Sequence, residues 1–155
     1  MRLAAVLCGV ALLPAMALAK PPPGTVIGSP ENLWWQAQKQ ADGVVSCCGA
    51  PGADGHVLQP GDWKPNYLPT TGAHESPKIN AAFPWLIKVY WRDHPDKFTW
   101  MPVPAAVQVP PQDLPEPDVA LRGLAKVWFA PGWAADGSPI AADFYWFCLE
   151  IPESM

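Results

Sequence analysis

Residues 44–58 read VVSCCGAPGADGHVL, and this stretch decides how the chain is built. Cys47 and Cys48 are adjacent, and outside the N-terminal 20 residues the only other cysteine is Cys148. A trans peptide sets neighbouring Cα atoms ~3.8 Å apart, short of the usual disulfide range of ~4.4–6.8 Å. One of the pair is therefore expected to bond Cys148, and a vicinal Cys47–Cys48 bridge is the minor alternative. In the chain-entropy model, a closed loop of about 100 residues contributes ~4.7 kcal/mol, comparable to the whole stability of a small domain. The remaining cysteine is then a buried inert thiol, an intermolecular bridge or a metal ligand.

Asp54-Gly55-His56 follows closely. Thiolate, carboxylate and imidazole together suit Zn or Cu, so Cys47, Cys48, Asp54 and His56 form a candidate metal set. No CxxC, HxxxH or HExxH spacing accompanies it. The plainer reading makes residues 44–48 a short strand, Asp54-Gly55 a hairpin turn and residues 56–59 the returning strand.

The chain opens MRLAAVLCGVALLPAMALAK. Arg2, the apolar residues 3–13 and Ala17-Leu18-Ala19 have the form of a secretory leader cleaved after Ala19. The apolar run is too short to span a membrane. Cys8 follows the bulky Leu7 and leaves with the leader rather than carrying lipid. Removing residues 1–19 from 155 leaves 136, enough for one domain with a modest core. The net charge of −4 becomes −5 once Arg2 is gone, and no Lys/Arg cluster offsets it, so nucleic acid and anionic membrane surfaces are not expected partners. Hydrophobic residues make up 50 % and charged residues 15 %, which excludes intrinsic disorder. The 21 prolines break the chain into short elements, and the 9 tryptophans carry much of the apolar area.

Residues 20–28, KPPPGTVIG, form an extended tether. Ser29-Pro30-Glu31 starts a helix, with Ser as N-cap and Pro in its first turn. Residues 30–41 are expected to be helical, ending at Asp42-Gly43 and packing through Leu33, Trp34, Ala37 and Ala41. Residues 61–74 form a long loop carrying Trp63 and Tyr67. Residues 85–92, WLIKVYWR, are the strongest strand: Trp85, Ile87, Val89 and Trp91 face the core, and Leu86, Lys88, Tyr90 and Arg92 face away. A turn at 93–96, which puts His94 at a loop tip, leads into a return strand at 97–103. A proline-studded crossover spans 102–118. Residues 124–130 form a strand, 135–139 a turn, and 143–151, DFYWFCLEI, a central closing strand. Strict alternation there puts Phe144, Trp146, Cys148 and Glu150 on one face.

The Cys47-Cys48 pair with nearby Asp54, the strand ending Trp100-Met101-Pro102-Val103-Pro104, and Phe147-Cys148 with Pro152 together resemble small exported bacterial proteins of unknown function that carry a double-cysteine motif. In many of those proteins another Cys directly follows the Asp; here Gly55 stands there, which removes one possible disulfide partner. The resemblance spans about residues 44–60 and 83–152 and implies export and a β-rich fold.

The expected architecture is mainly β: a small antiparallel sheet or sandwich, disulfide-stapled, with one N-terminal helix and long Pro-rich loops. Residues 1–19 are the leader, 20–28 the tether and 29–155 a single domain. The expected function is that of a periplasmic or secreted, non-enzymatic binding or structural module. Trp63, Tyr67 and Trp133, read as loop aromatics, are the candidate contacts to a protein, peptide or carbohydrate. No cofactor is expected on that reading. The alternative is a metal or redox protein using the Cys47/Cys48/Asp54/His56 set with Zn or Cu. A dimer joined through the odd cysteine is the alternative to a monomer. No G-x-S-x-G elbow or Gly-rich phosphate loop points to catalysis.

Overall fold

The computed structural model describes residues 21–22, 24–40, 42–48, 53–70, 72, 75–110 and 123–152. The leader with Cys8, Ala41, residues 49–52 of the cysteine loop, His74 and residues 111–122 of the crossover lie outside the described residues.

Three layers are stacked. A four-stranded sheet lies in the middle, with a three-stranded sheet on one face and a helix with the cysteine segment on the other. The central sheet has the order β1 (Asp54–Leu58), β6 (Ala125–Ala130), β7 (Tyr145–Glu150), β5 (Gln108–Val109). It is antiparallel except where β5 joins β7 in parallel over two residues. The other sheet is an antiparallel meander of β2 (Trp63–Pro65), β3 (Trp85–Trp91) and β4 (His94–Val103). Strand alternation sends Ile87, Val89, Met101 and Val103 inward. They meet Leu58, Val127, Phe129 and Leu149 of the central sheet in one core.

The helix α1 (Pro30–Ala37) starts as expected: Ser29 Oγ accepts from the Asn32 N–H at 3.1 Å, and Pro30 lies in the first turn. It stops four residues earlier than expected. The chain leaves at Gln38 and folds back on itself, with Gln40 N–H bonded to Val45 O and Cys47 N–H to Gln38 O. Asp42-Gly43 is the tip of this small loop, where the Asp42 carboxylate accepts from the Val44 and Val45 N–H groups. Residues 44–48 are thus not a strand; among the described residues their pairing is the single bridge of Lys39 to Ser46. The helix packs through Trp34 and Trp35, while Leu33 is 58 % exposed and Ala37 lies in solvent. The two indoles remove far more apolar area from water than the leucine–alanine stripe would, and that decides which face turns inward.

Cys47 bonds Cys148, joining this loop to β7 with 5.5 Å between the Cα atoms and 101 residues between the partners. Beside it lie Trp35, Trp128, Cys48 and Ala53 in a second core. The closing strand is central, as expected, but its faces are not those of strict alternation. Trp128 pairs with Cys148 and Phe129 with Trp146, leaving Phe147 as an extra residue. The bulge puts Phe144 and Trp146 with Leu149 and Ile151 in the inter-sheet core, and sends Cys148 toward the helix.

Candidate functional site

β1 is a strand from Asp54 onward, so Asp54-Gly55 is not a turn. The reason is local. Gly55 faces the helix layer, where a Cβ would come within 2.8 Å of the Trp35 ring, so the indole seats itself against bare backbone. Asp54, His56 and Leu58 consequently face the other sheet. His56 stacks on Phe129, with centroids 4.5 Å apart and planes 10° from parallel. Phe129 in turn meets Phe144 and Trp146, so the imidazole sits at the end of an aromatic series reaching into the core.

Opposite this wall, the chain between β1 and β2 turns at residues 59–62 and presents Asp62. The Lys88 N–H donates to Asp62 O at 2.8 Å, which docks the turn onto β3. The Asp62 carboxylate accepts the Tyr90 hydroxyl at 3.0 Å and lies 3.7 Å from the Lys88 ammonium. Donation to that carboxylate raises the Tyr90 pKa above its ordinary value.

Between the two walls lies a cleft of about 260 Å³, lined by Asp54, His56, Asp62, Lys88, Tyr90, Phe129 and Trp133 among others. It opens where β2 has ended and the β1 edge faces β3. Burial lowers the His56 pKa and Asp54 partly offsets this, which favours the neutral imidazole. The cleft therefore offers stacking surfaces, a neutral imidazole, a carboxylate, a phenol and an ammonium within one small volume.

Trp133 is held over the cleft by its bridge to Pro139 and by the turn at 135–139, where Asp136 accepts from both the N–H and the hydroxyl of Ser138. Arg92 lies over the same ring at 5.6 Å, on the side of a second, more polar hollow formed with Asp93, His94 and Asp136. His94 is not a loop-tip residue. The two-residue turn is Arg92-Asp93, with Asp93 at φ 63°, and His94 opens β4 opposite Trp91.

Of the sequence-derived aromatics, only Trp133 reaches the cleft. Trp63 is not a loop residue: it belongs to β2, points inward and meets Trp85 edge-on at 5.2 Å. Tyr67 lies elsewhere, bridged to Ile79 and 52 % exposed. The metal set is divided by the central sheet. Cys47 is in the disulfide, and Cys48 is buried on the helix side with its thiol donating to Trp35 O at 3.3 Å. Burial pushes the Cys48 pKa up to about 11, partly opposed by Trp128. Asp54 and His56 are on the opposite face, and no group of three His, Cys, Asp or Glu is gathered among the described residues.

The cleft residues that escape sequence reasoning are Asp62, Lys88, Tyr90 and Phe129. Alternation in β3 does pair Lys88 with Tyr90, but only the docking of Asp62 onto that strand makes them part of a site. No helix among the described residues is long and apolar enough to cross a membrane. No family model, curated protein or solved structure matches this chain.

Proposed function

We propose that the chain is an exported, non-enzymatic binding module that takes a ring-bearing, hydroxyl-rich ligand in the cleft between its two sheets. The observation that carries this reading is the cleft itself. A stacked His56–Phe129 pair and Trp133 supply ring surfaces, and the Asp62–Tyr90–Lys88 group supplies donors and acceptors for hydroxyls. Export rests on the leader-like residues 1–19, and the Cys47–Cys148 disulfide suits an oxidising compartment such as the periplasm or the exterior.

The test is calorimetric titration of the exported protein with a panel of mono- and oligosaccharides and short aromatic peptides, beside Tyr90→Phe and His56→Asn. Tyr90 is 44 % exposed and loses only its hydroxyl, so its melting temperature stays within about 2 °C while affinity for the cleft ligand falls roughly fivefold. A ligand whose affinity is untouched by both variants would place binding elsewhere. A mature mass that does not begin at Lys20 would remove the expected leader.

A further inference from the structure

Beyond the cleft, the outer face of the three-stranded sheet has no layer packed on it among the described residues. The inward set Trp63, Ile87, Val89 and Met101 leaves Lys64, Lys88, Tyr90, Phe98 and Trp100 on the outer side. Tyr90 and Phe98 are 44 % and 43 % exposed. Soluble sheets ordinarily turn small polar residues to water, so a row of three aromatic rings is a departure that points to a ligand. The rings follow one another at 6.1 and 5.9 Å, and each is steeply tilted to the next, at 64° and 85°.

The charges on this face identify the ligand's sign. The Lys64 ammonium sits 4.1 Å over Trp100, and that of Lys88 lies 4.9 Å from Phe98 and 5.6 Å from Trp100. Asp62 lies 3.7 Å from the Lys88 ammonium. The face is thus locally cationic on a chain of net charge −4. Crossed rings do not match a flat array of sugar rings. They do match a single twisted chain that shows each ring a different face.

We propose that this face binds an acidic polysaccharide. Sugar rings stack on Tyr90, Phe98 and Trp100, and their carboxylates meet Lys64 and Lys88. An acidic peptide would satisfy the ammoniums but leave the rings unused. The face meets the cleft at Lys88 and Tyr90, yet Lys64, Phe98 and Trp100 do not line the cleft, so the two sites are separable.

The experiment is titration of the exported full chain with an oligogalacturonate, its fully methyl-esterified form and poly-glutamate, repeated with Lys64→Gln and Phe98→Ser. The expected result is oligogalacturonate binding that weakens with salt and falls about fivefold or more in each variant. The esterified form binds weakly and poly-glutamate does not bind, while thermal melting of both variants stays cooperative. Absence of oligogalacturonate binding overturns the proposal, as does equal binding of poly-glutamate. Binding that survives both substitutions also overturns it. Loss of cleft ligands in Tyr90→Phe with oligogalacturonate binding intact in His56→Asn would distinguish this face from the cleft.

Discussion

His56 rests flat on Phe129, and burial there lowers its pKa from the ordinary 6.5. The unfolded chain binds a proton at this residue more readily than the folded one. Its contribution is therefore present above pH 6.5 and is lost as pH falls through the lower folded value. His56→Phe keeps a ring on Phe129 and removes the titration. Melting temperature between pH 7 and pH 5 should fall more steeply for the wild type than for this variant; parallel slopes would show that His56 does not carry the effect. Cys48 behaves in the opposite sense. Its thiol pKa is raised from 9.0 to about 11, so the neutral form persists in the fold, and stability falls as pH rises from 9 toward 11. The native protein at pH 8 should resist iodoacetamide and take up one equivalent after unfolding in urea, as read by mass. Rapid native labelling would place Cys48 at the surface.

β1 and β7 are the elements whose local chemistry sets the site. In β1, Gly55 is the position against which Trp35 is seated; Trp35 is fully buried. Gly55→Ala forces the indole or the strand to move and should lower stability by about 1–3 kcal/mol in urea denaturation. No loss would mean that the helix layer yields freely. In β2, Trp63 packs on the inter-sheet core beside Trp85. Trp63→Ala should therefore lower stability by about 2 kcal/mol, scaled down from a fully buried tryptophan because Trp63 is only partly buried. An unchanged melting temperature would return Trp63 to the surface role that a loop position implies. In β7, the bulge at Phe147 lets one strand serve two cores, with the disulfide on one side and an aromatic cluster on the other.

Across the whole molecule, the helix layer is held to the central sheet by Trp34, Trp35 and the Cys47–Cys148 bond. Cys148→Ala should lower stability by about 2–5 kcal/mol and make unfolding insensitive to reductant. A reductant-sensitive transition persisting in that variant would reveal another disulfide. On the same face, Lys126 and Glu150 form a buried ion pair at 3.0 Å, directly across β6 and β7. The Lys126 ammonium also donates to Leu124 O and lies 5.3 Å from the Trp34 ring. This pair ties the end of the central sheet to the helix layer without adding an apolar contact.

The part of the structure legible in residue order is the part governed by short-range chemistry. Adjacent cysteines with one distant partner specified that one of the pair bonds Cys148; packing of Cys48 beneath Trp35 left Cys47 as the partner. Ser29-Pro30 specified the helix start. The two-residue period of residues 85–91 specified a strand and, from Trp85 to Val89, its buried side; Trp91, expected in the core, lies past a register shift and outside it. Asp136-Gly137-Ser138 specified a turn. The rest depends on which apolar surfaces meet. The bulk of Trp35 chose the buried side of the helix and required glycine opposite it, so Asp54-Gly55 became strand rather than turn. That same choice sent His56 to the opposite face from the cysteines. The Phe147 bulge broke the alternation from which faces are read, and docking of Asp62 onto β3 drew Lys88 and Tyr90 into a cleft. Local propensity cannot encode these outcomes, because each is a contact between residues that only packing brings together.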